Sequence, residues 1–137
     1  MIIVEELESA FDKAQQINVY KQGVKTEYAV GGEEFNSILA SWNEMVEGAH
    51  DIPAFGVSLH EPTLKELQKG LWVEFDFKQV LQHGDLPFEK LLVGVEREFQ
   101  GFNLIRYSSV YGYEGRCFYL DLVNKNMSKF YDLLQNI

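Results

Sequence analysis

The apolar residues Phe35, Ile38, Leu39, Trp42, Met45 and Val46 recur at i, i+3, i+4, i+7, i+10 and i+11. That spacing covers one broad face of an α-helix. Glu33 and Glu34 stand at its start, where the helix dipole favours acids, and Gly48 supplies a stop. A helix with so wide a stripe has to lay it across a sheet or another helix. Phe35, Ile38, Leu39, Trp42 and Val46 are therefore expected in the core of a layered domain.

The flanking segments supply the sheet. Residues 17–21 and 25–30 read as short strands turning at Gly23. Residues 71–77 alternate: Leu71, Val73, Phe75 and Phe77 point one way, Trp72, Glu74 and Asp76 the other. Residues 54–59 read as a further strand. Residues 62–70 read as a connection with one helical turn, and 78–88 as a looser segment holding Gly84 and Pro87. Residues 88–99 fit two patterns. Phe88, Leu91, Leu92, Val95 and Phe99 make a helical stripe between Asp85 and Gly101, whereas Leu91, Val93 and Val95 alternate. Gly94 and the two valines tip the balance to a strand over 91–97. Residues 103–107 and 116–121 form a hairpin. Val4, Leu7, Phe11 and Ala14 mark a first helix over 3–16, with its early acids near the N-terminus. Met127, Phe130, Leu133, Leu134 and Ile137 mark a closing helix capped by Asn126. Short links between strands predict one α+β domain over 1–137. Its sheet is an antiparallel meander of about five to seven strands, with two to three helices on one face.

A hydrophobic share of 46% and an aromatic share of 14% suit such a packed core. The net charge is −9, with residues 1–50 holding nine acids against three lysines. That balance excludes a nucleic-acid backbone as partner, because such partners need a field of lysine and arginine. It suits a protein with a basic surface. Cys117 is the only cysteine, so no internal disulfide forms. No basic segment followed by a long apolar run is visible at the N-terminus, and no window approaches about 18 apolar residues. The expectation is a cytoplasmic protein without a membrane span.

The window 103–119 concentrates recognition chemistry. It holds four of the seven tyrosines (Tyr107, Tyr111, Tyr113, Tyr119) and two of the three arginines (Arg106, Arg116). Both residue types combine broad apolar contact with a polar tip and dominate interface hot spots. Tyr111 and Tyr113 flank Gly112 in a short loop, so at least one ring is expected to be exposed. Trp72, Glu74 and Asp76 form a second candidate set. Paired carboxylates beside an indole suit acid–base work or a sugar, unless an arginine such as Arg106 simply pairs with them.

Other signals are weaker. His50 with Asp51, His60 with Glu61 and His83 with Asp85 lack a compact metal-ligand spacing and read as solvated loop histidines. Cys117 reads as a packed thiol, since its neighbour Arg116 points to the opposite face of a strand. Gly31 and Gly32 precede a helix, but Glu33 and Glu34 would repel an anion there. No motif for catalysis, metal or cofactor emerges.

Two functional readings follow. In the first the chain is a non-enzymatic binding protein of the inhibitor or immunity type. It is anchored by the Tyr/Arg hairpin and steered by acids such as Glu5 and Glu8 toward a basic partner. In the second it is a small-ligand domain or enzyme. Its pocket lies between sheet and long helix, lined by Trp72, Glu74, Asp76, Arg106 and Tyr119; Arg106 holds an anionic group and a carboxylate acts as base. A deep pocket where those side chains converge favours the second reading, and a filled interior favours the first.

Overall fold

In the computed structural model, which describes residues 2–52 and 56–137, the apolar stripe forms helix α1 (Glu33–Val46). Phe35, Ile38, Trp42, Met45 and Val46 are buried, and Leu39 packs partly buried against the same core. The Trp42 ring lies 4.9 Å from that of Phe11, 4.8 Å from Phe75, 5.3 Å from Phe102 and 5.4 Å from Phe130. All four contacts are tilted or edge-on, the geometry the ring quadrupole favours.

Around this cluster the chain builds an α+β fold on a mostly antiparallel sheet of eight strands, more than the alternation patterns predict. Strands β1 (Ile2–Ile3), β2 (Gln16–Lys21), β3 (Val24–Ala29), β4 (His50–Ile52), β6 (Leu71–His83), β7 (Leu86–Val95), β8 (Gly101–Tyr107) and β10 (Phe118–Asp121) compose it. Their order is β3-β2-β6-β7-β8-β10-β4, with β1 running parallel beside the far end of β6. A separate ribbon joins β5 (Val57–Ser58) to β9 (Gly115–Arg116). The strand expected over 54–59 is thus short, and its first part lies outside the described residues.

Local chemistry explains the turns. Gln22 and Gly23 both take positive φ, as a two-residue hairpin with the right twist requires. The segment expected to be loose, 78–88, is instead the continuation of β6 and the start of β7. The register shifts between Asp76 and Leu81, where Lys78 adopts φ 56. That irregularity hides the strand from a strict alternation test. Residues 88–95 are strand, with Val93 and Val95 on the core face as the alternation requires.

The first helix is corrected. Val4, Leu7, Phe11 and Ala14 are all buried, as their stripe implies, but the segment is β1 followed by a 3-10 helix (Leu7–Lys13). The Val4 N–H is taken by Gln82 O at 2.7 Å, so the chain enters as a strand and only a short 3-10 helix follows. The closing helix α3 (Ser128–Gln135) forms as expected, and Asn126 Oδ1 accepts the Ser128 N–H at 3.0 Å.

The helices do not share one face. The 3-10 segment, α1 and α3 pack with Leu71, Val73, Phe75 and Phe77 in the main core. Helix α2 (His60–Glu66) leads into Leu67, which packs on the opposite face with Leu92 and Tyr113. A second, smaller layer therefore covers the sheet from behind.

Candidate functional site

Register sets the chemistry of that second face. Asn18 on β2, Glu74 on β6, Leu92 on β7 and Ile105 on β8 are direct cross-strand partners in one row. Tyr20 pairs with Trp72 in the next row, and Asp76 pairs with Gln16 and Lys90 in the row beyond. Period-two alternation thus sends Ile17, Val19, Val73 and Phe75 to the main core, and Asn18, Tyr20 and Glu74 outward.

Outward does not mean wet. Glu74 is 0% exposed. A buried carboxylate is costly unless donors surround it, and three converge here: Asn18 Nδ2 at 2.9 Å, Tyr20 Oη at 3.4 Å and the Tyr113 hydroxyl in a short contact. Gln16 Nε2 donates to Asn18 Oδ1 at 2.6 Å and so holds the asparagine amide with its NH2 toward Glu74. Burial raises the phenol pKa of both Tyr113 and Tyr20, and the neighbouring charge of Glu74 raises it further. Both hydroxyls therefore stay protonated and remain donors.

Tyr113 reaches Glu74 from the loop 108–114, which is folded down as a cover. Its ring packs at 4.9 Å from Tyr107 and stacks at 5.8 Å on His60. Its N–H donates to His60 Nδ1 at 3.1 Å, and its carbonyl accepts from Ser58 Oγ. Gly112 sits at φ 64 against His60, and a Cβ there would collide with the imidazole. The loop needs glycine for space as well as for backbone conformation.

The same loop pushes its tip outward. Val110 is 78% exposed and Tyr111 69%. The backbone beneath them is tied down: Ser108 and Gly112 exchange two backbone hydrogen bonds, Tyr111 N–H donates to Ser108 Oγ, and Ser109 N–H donates to Glu89 Oε2. Beside the tip runs a largely apolar groove of about 620 Å³, formed with Val80, Leu86, Pro87 and Arg106.

The expected site residues separate into distinct places. Glu74, Tyr113 and Tyr107 meet on the second face, joined by Trp72, whose indole N–H donates to Lys69 O at 2.9 Å. Asp76 is buried on that face and binds Lys78, through its N–H at 3.0 Å and its Nζ at 3.3 Å. Arg106 does not join these acids. It is the cross-strand partner of Leu91, a core-facing residue, so it projects to the opposite face. There it donates from Nε to Arg116 O at 2.6 Å and from Nη1 to Pro87 O at 2.7 Å. Arg116 itself lies on β9, exposed, and Tyr119 lies on β10 opposite Asn103. Among the described residues, the space expected for a pocket between sheet and long helix is filled by Trp42 and its four phenylalanine neighbours. Tyr113, expected as a candidate anchor, is 5% exposed, whereas Tyr111 carries the exposed ring.

Sequence reasoning missed Asn18, Tyr20, Ser58 and His60. The alternation of Asn18 and Tyr20 with Ile17 and Val19 was the available signal. His60 and His83 are partly exposed but not free: His60 packs on Tyr113, and His83 bridges Val4 O at 2.9 Å and Asp51 Oδ2 at 2.5 Å rather than Asp85. Cys117 is buried, and burial raises its thiol pKa. Among the described residues no three His, Cys, Asp or Glu side chains gather as metal ligands, and no helix is long and apolar enough to cross a membrane. Compared with protein families, characterised proteins and solved structures, the chain matches none.

Proposed function

We propose that this chain is a small acidic binding protein of the inhibitor or immunity type, acting in the cytoplasm, and that Val110 and Tyr111 anchor its partner. The observation that carries this reading is the loop 108–114: two large apolar side chains held in solvent on a backbone already fixed by Tyr113, Ser108 and Glu89. Exposing such side chains is unfavourable unless something covers them, and fixing them beforehand lowers the entropy lost on binding. The net charge of −9 favours a partner with a basic surface and speeds its encounter. Glu74 has no catalytic role in this reading, since three donors already satisfy it.

The test is photocrosslinking in extract of the native host. A crosslinker replacing Val110 is compared with one replacing Val24, which is also open to solvent, on edge strand β3. One basic protein captured at position 110 and not at 24 is the expected outcome. Tyr111→Ser should then weaken its binding by about 2 kcal/mol or more. Equal capture at both positions, or unchanged affinity of the serine variant, overturns the assignment of this tip.

A further inference from the structure

Arg106 is the feature of the groove that packing alone does not explain. Its guanidinium is half-buried, and among the described residues no carboxylate forms an ion pair with it. Among the described residues its hydrogen bonds run to two backbone carbonyls, from Nε to Arg116 O and from Nη1 to Pro87 O. Those bonds lock the planar fork at the groove wall and leave Nη2 and one N–H of Nη1 unengaged. Burial, and less strongly the Arg116 charge, lower its pKa from the ordinary value, while Cys117 and Asp85 nearby favour the cation. A desolvated, orientationally fixed guanidinium beside an apolar trough is a receptor for a carboxylate.

We infer that the groove binds an extended segment of the protein partner in which a large apolar side chain stands next to an Asp or Glu. The inference rests on the binding-protein reading above and adds the chemistry of the anchor. The apolar side chain lies against Val80, Leu86, Pro87, Val110 and Tyr111. The adjoining carboxylate takes the free N–H groups of Arg106. Asp85 lies near enough to favour the Arg106 cation but forms no ion pair with it, and Glu89 Oε2 is held by the Ser109 N–H at 2.6 Å. Glu114, exposed in the groove lining, disfavours a second acid there and attracts basic residues around the anchor. A locally acidic anchor inside a basic surface is thus the pattern this face selects.

Peptide phage display on the intact protein is the test. The expected result is enrichment of sequences pairing Leu, Ile or Phe with a neighbouring Asp or Glu. Binding of a dye-labelled enriched peptide should fall about tenfold or more when its acid becomes the amide, and by the same factor on Arg106→Gln. Should Arg106→Gln not fold, the amide peptide reads the same contact on the unaltered protein. Tyr111→Ser should abolish binding. Peptides that lose affinity with Tyr111→Ser but carry no acid, or ignore Arg106→Gln, overturn the inference and leave the binding-protein reading standing. No enriched peptide, or saturable groove binding of phenylpropionate without any peptide, also overturns it. Failure of the crosslink at position 110, by contrast, removes the reading on which it rests.

Discussion

The two faces of strand β6 are packed by opposite physics. Leu71, Val73, Phe75 and Phe77 meet α1, α3 and the 3-10 segment in a dry layer of aromatic and aliphatic side chains. Glu74, one residue away from both Val73 and Phe75, is just as inaccessible, yet three hydrogen-bond donors converge on it. The first face is held by area and shape, which tolerate some rearrangement. The second is held by direction: each donor must point at one carboxylate. The dry face even leaves the Trp42 indole N–H without an acceptor among the described residues, whereas Glu74 has three donors. Burial alone does not distinguish these layers; the identity of what is buried does.

The largest effect expected from this contrast lies on the dry face. Trp42→Ala should cost about 3–5 kcal/mol in denaturant melts, because four rings lose their common neighbour. Trp42→Phe should cost less, since it keeps a ring and removes the unpaired donor. A loss below about 1 kcal/mol for Trp42→Ala would mean that the dry face is not the main source of stability.

On the polar face, Tyr113→Phe keeps the ring and deletes one hydroxyl. Leaving Glu74 short of a donor should cost about 1–3 kcal/mol. The comparison sharpens with Glu74→Leu, which removes the charge and the need for donors together. If the face is held by hydrogen-bond direction, Tyr113→Phe should destabilise the wild-type background more than the Glu74→Leu background. Equal losses in a double-mutant cycle would show that the Tyr113 hydroxyl is not coupled to Glu74.

A third probe is pH. Tyr113 and Tyr20 have folded pKa values raised above the ordinary phenol value of about 10, first by burial and then by Glu74. A raised folded pKa gives stability that is complete below the unfolded value and is lost as pH rises beyond it. Melting temperature should therefore begin to fall above about pH 10, and Tyr20→Phe should flatten that fall. An alkaline limb unchanged by Tyr20→Phe would assign the loss to other groups.

The smallest effect should come from the loop tip. Tyr111→Ser is expected to shift stability by no more than about 0.5 kcal/mol, because its ring lies in solvent. A large loss there would erase the distinction between the pinned base of the loop and its displayed tip.

Much of the fold is written locally. The stripe of α1, the alternation over 71–77, the Gln22–Gly23 turn and the closing helix each follow from spacing within a few residues. So does the division of Glu74 from Val73 and Phe75, because side chains on a strand alternate whatever the strand packs against. What failed locally was decided by distant partners. Val4 and Leu7 carry a helical stripe, but Gln82 captures the Val4 N–H and makes the entry a strand. Arg106 and Glu74 were candidates for one ion pair, and only the pairing of Arg106 with Leu91 sends the arginine to the other face. Tyr111 and Tyr113 are equivalent by spacing; one ring is buried on a carboxylate 39 positions away while the other is left in solvent. The sequence by itself determined which residues seek burial and which face each strand presents, since those are properties of neighbours along the chain. Only the tertiary structure decided which tyrosine closes over Glu74 and which arginine is left beside an apolar groove, because strand order and register bring together groups that no local spacing relates.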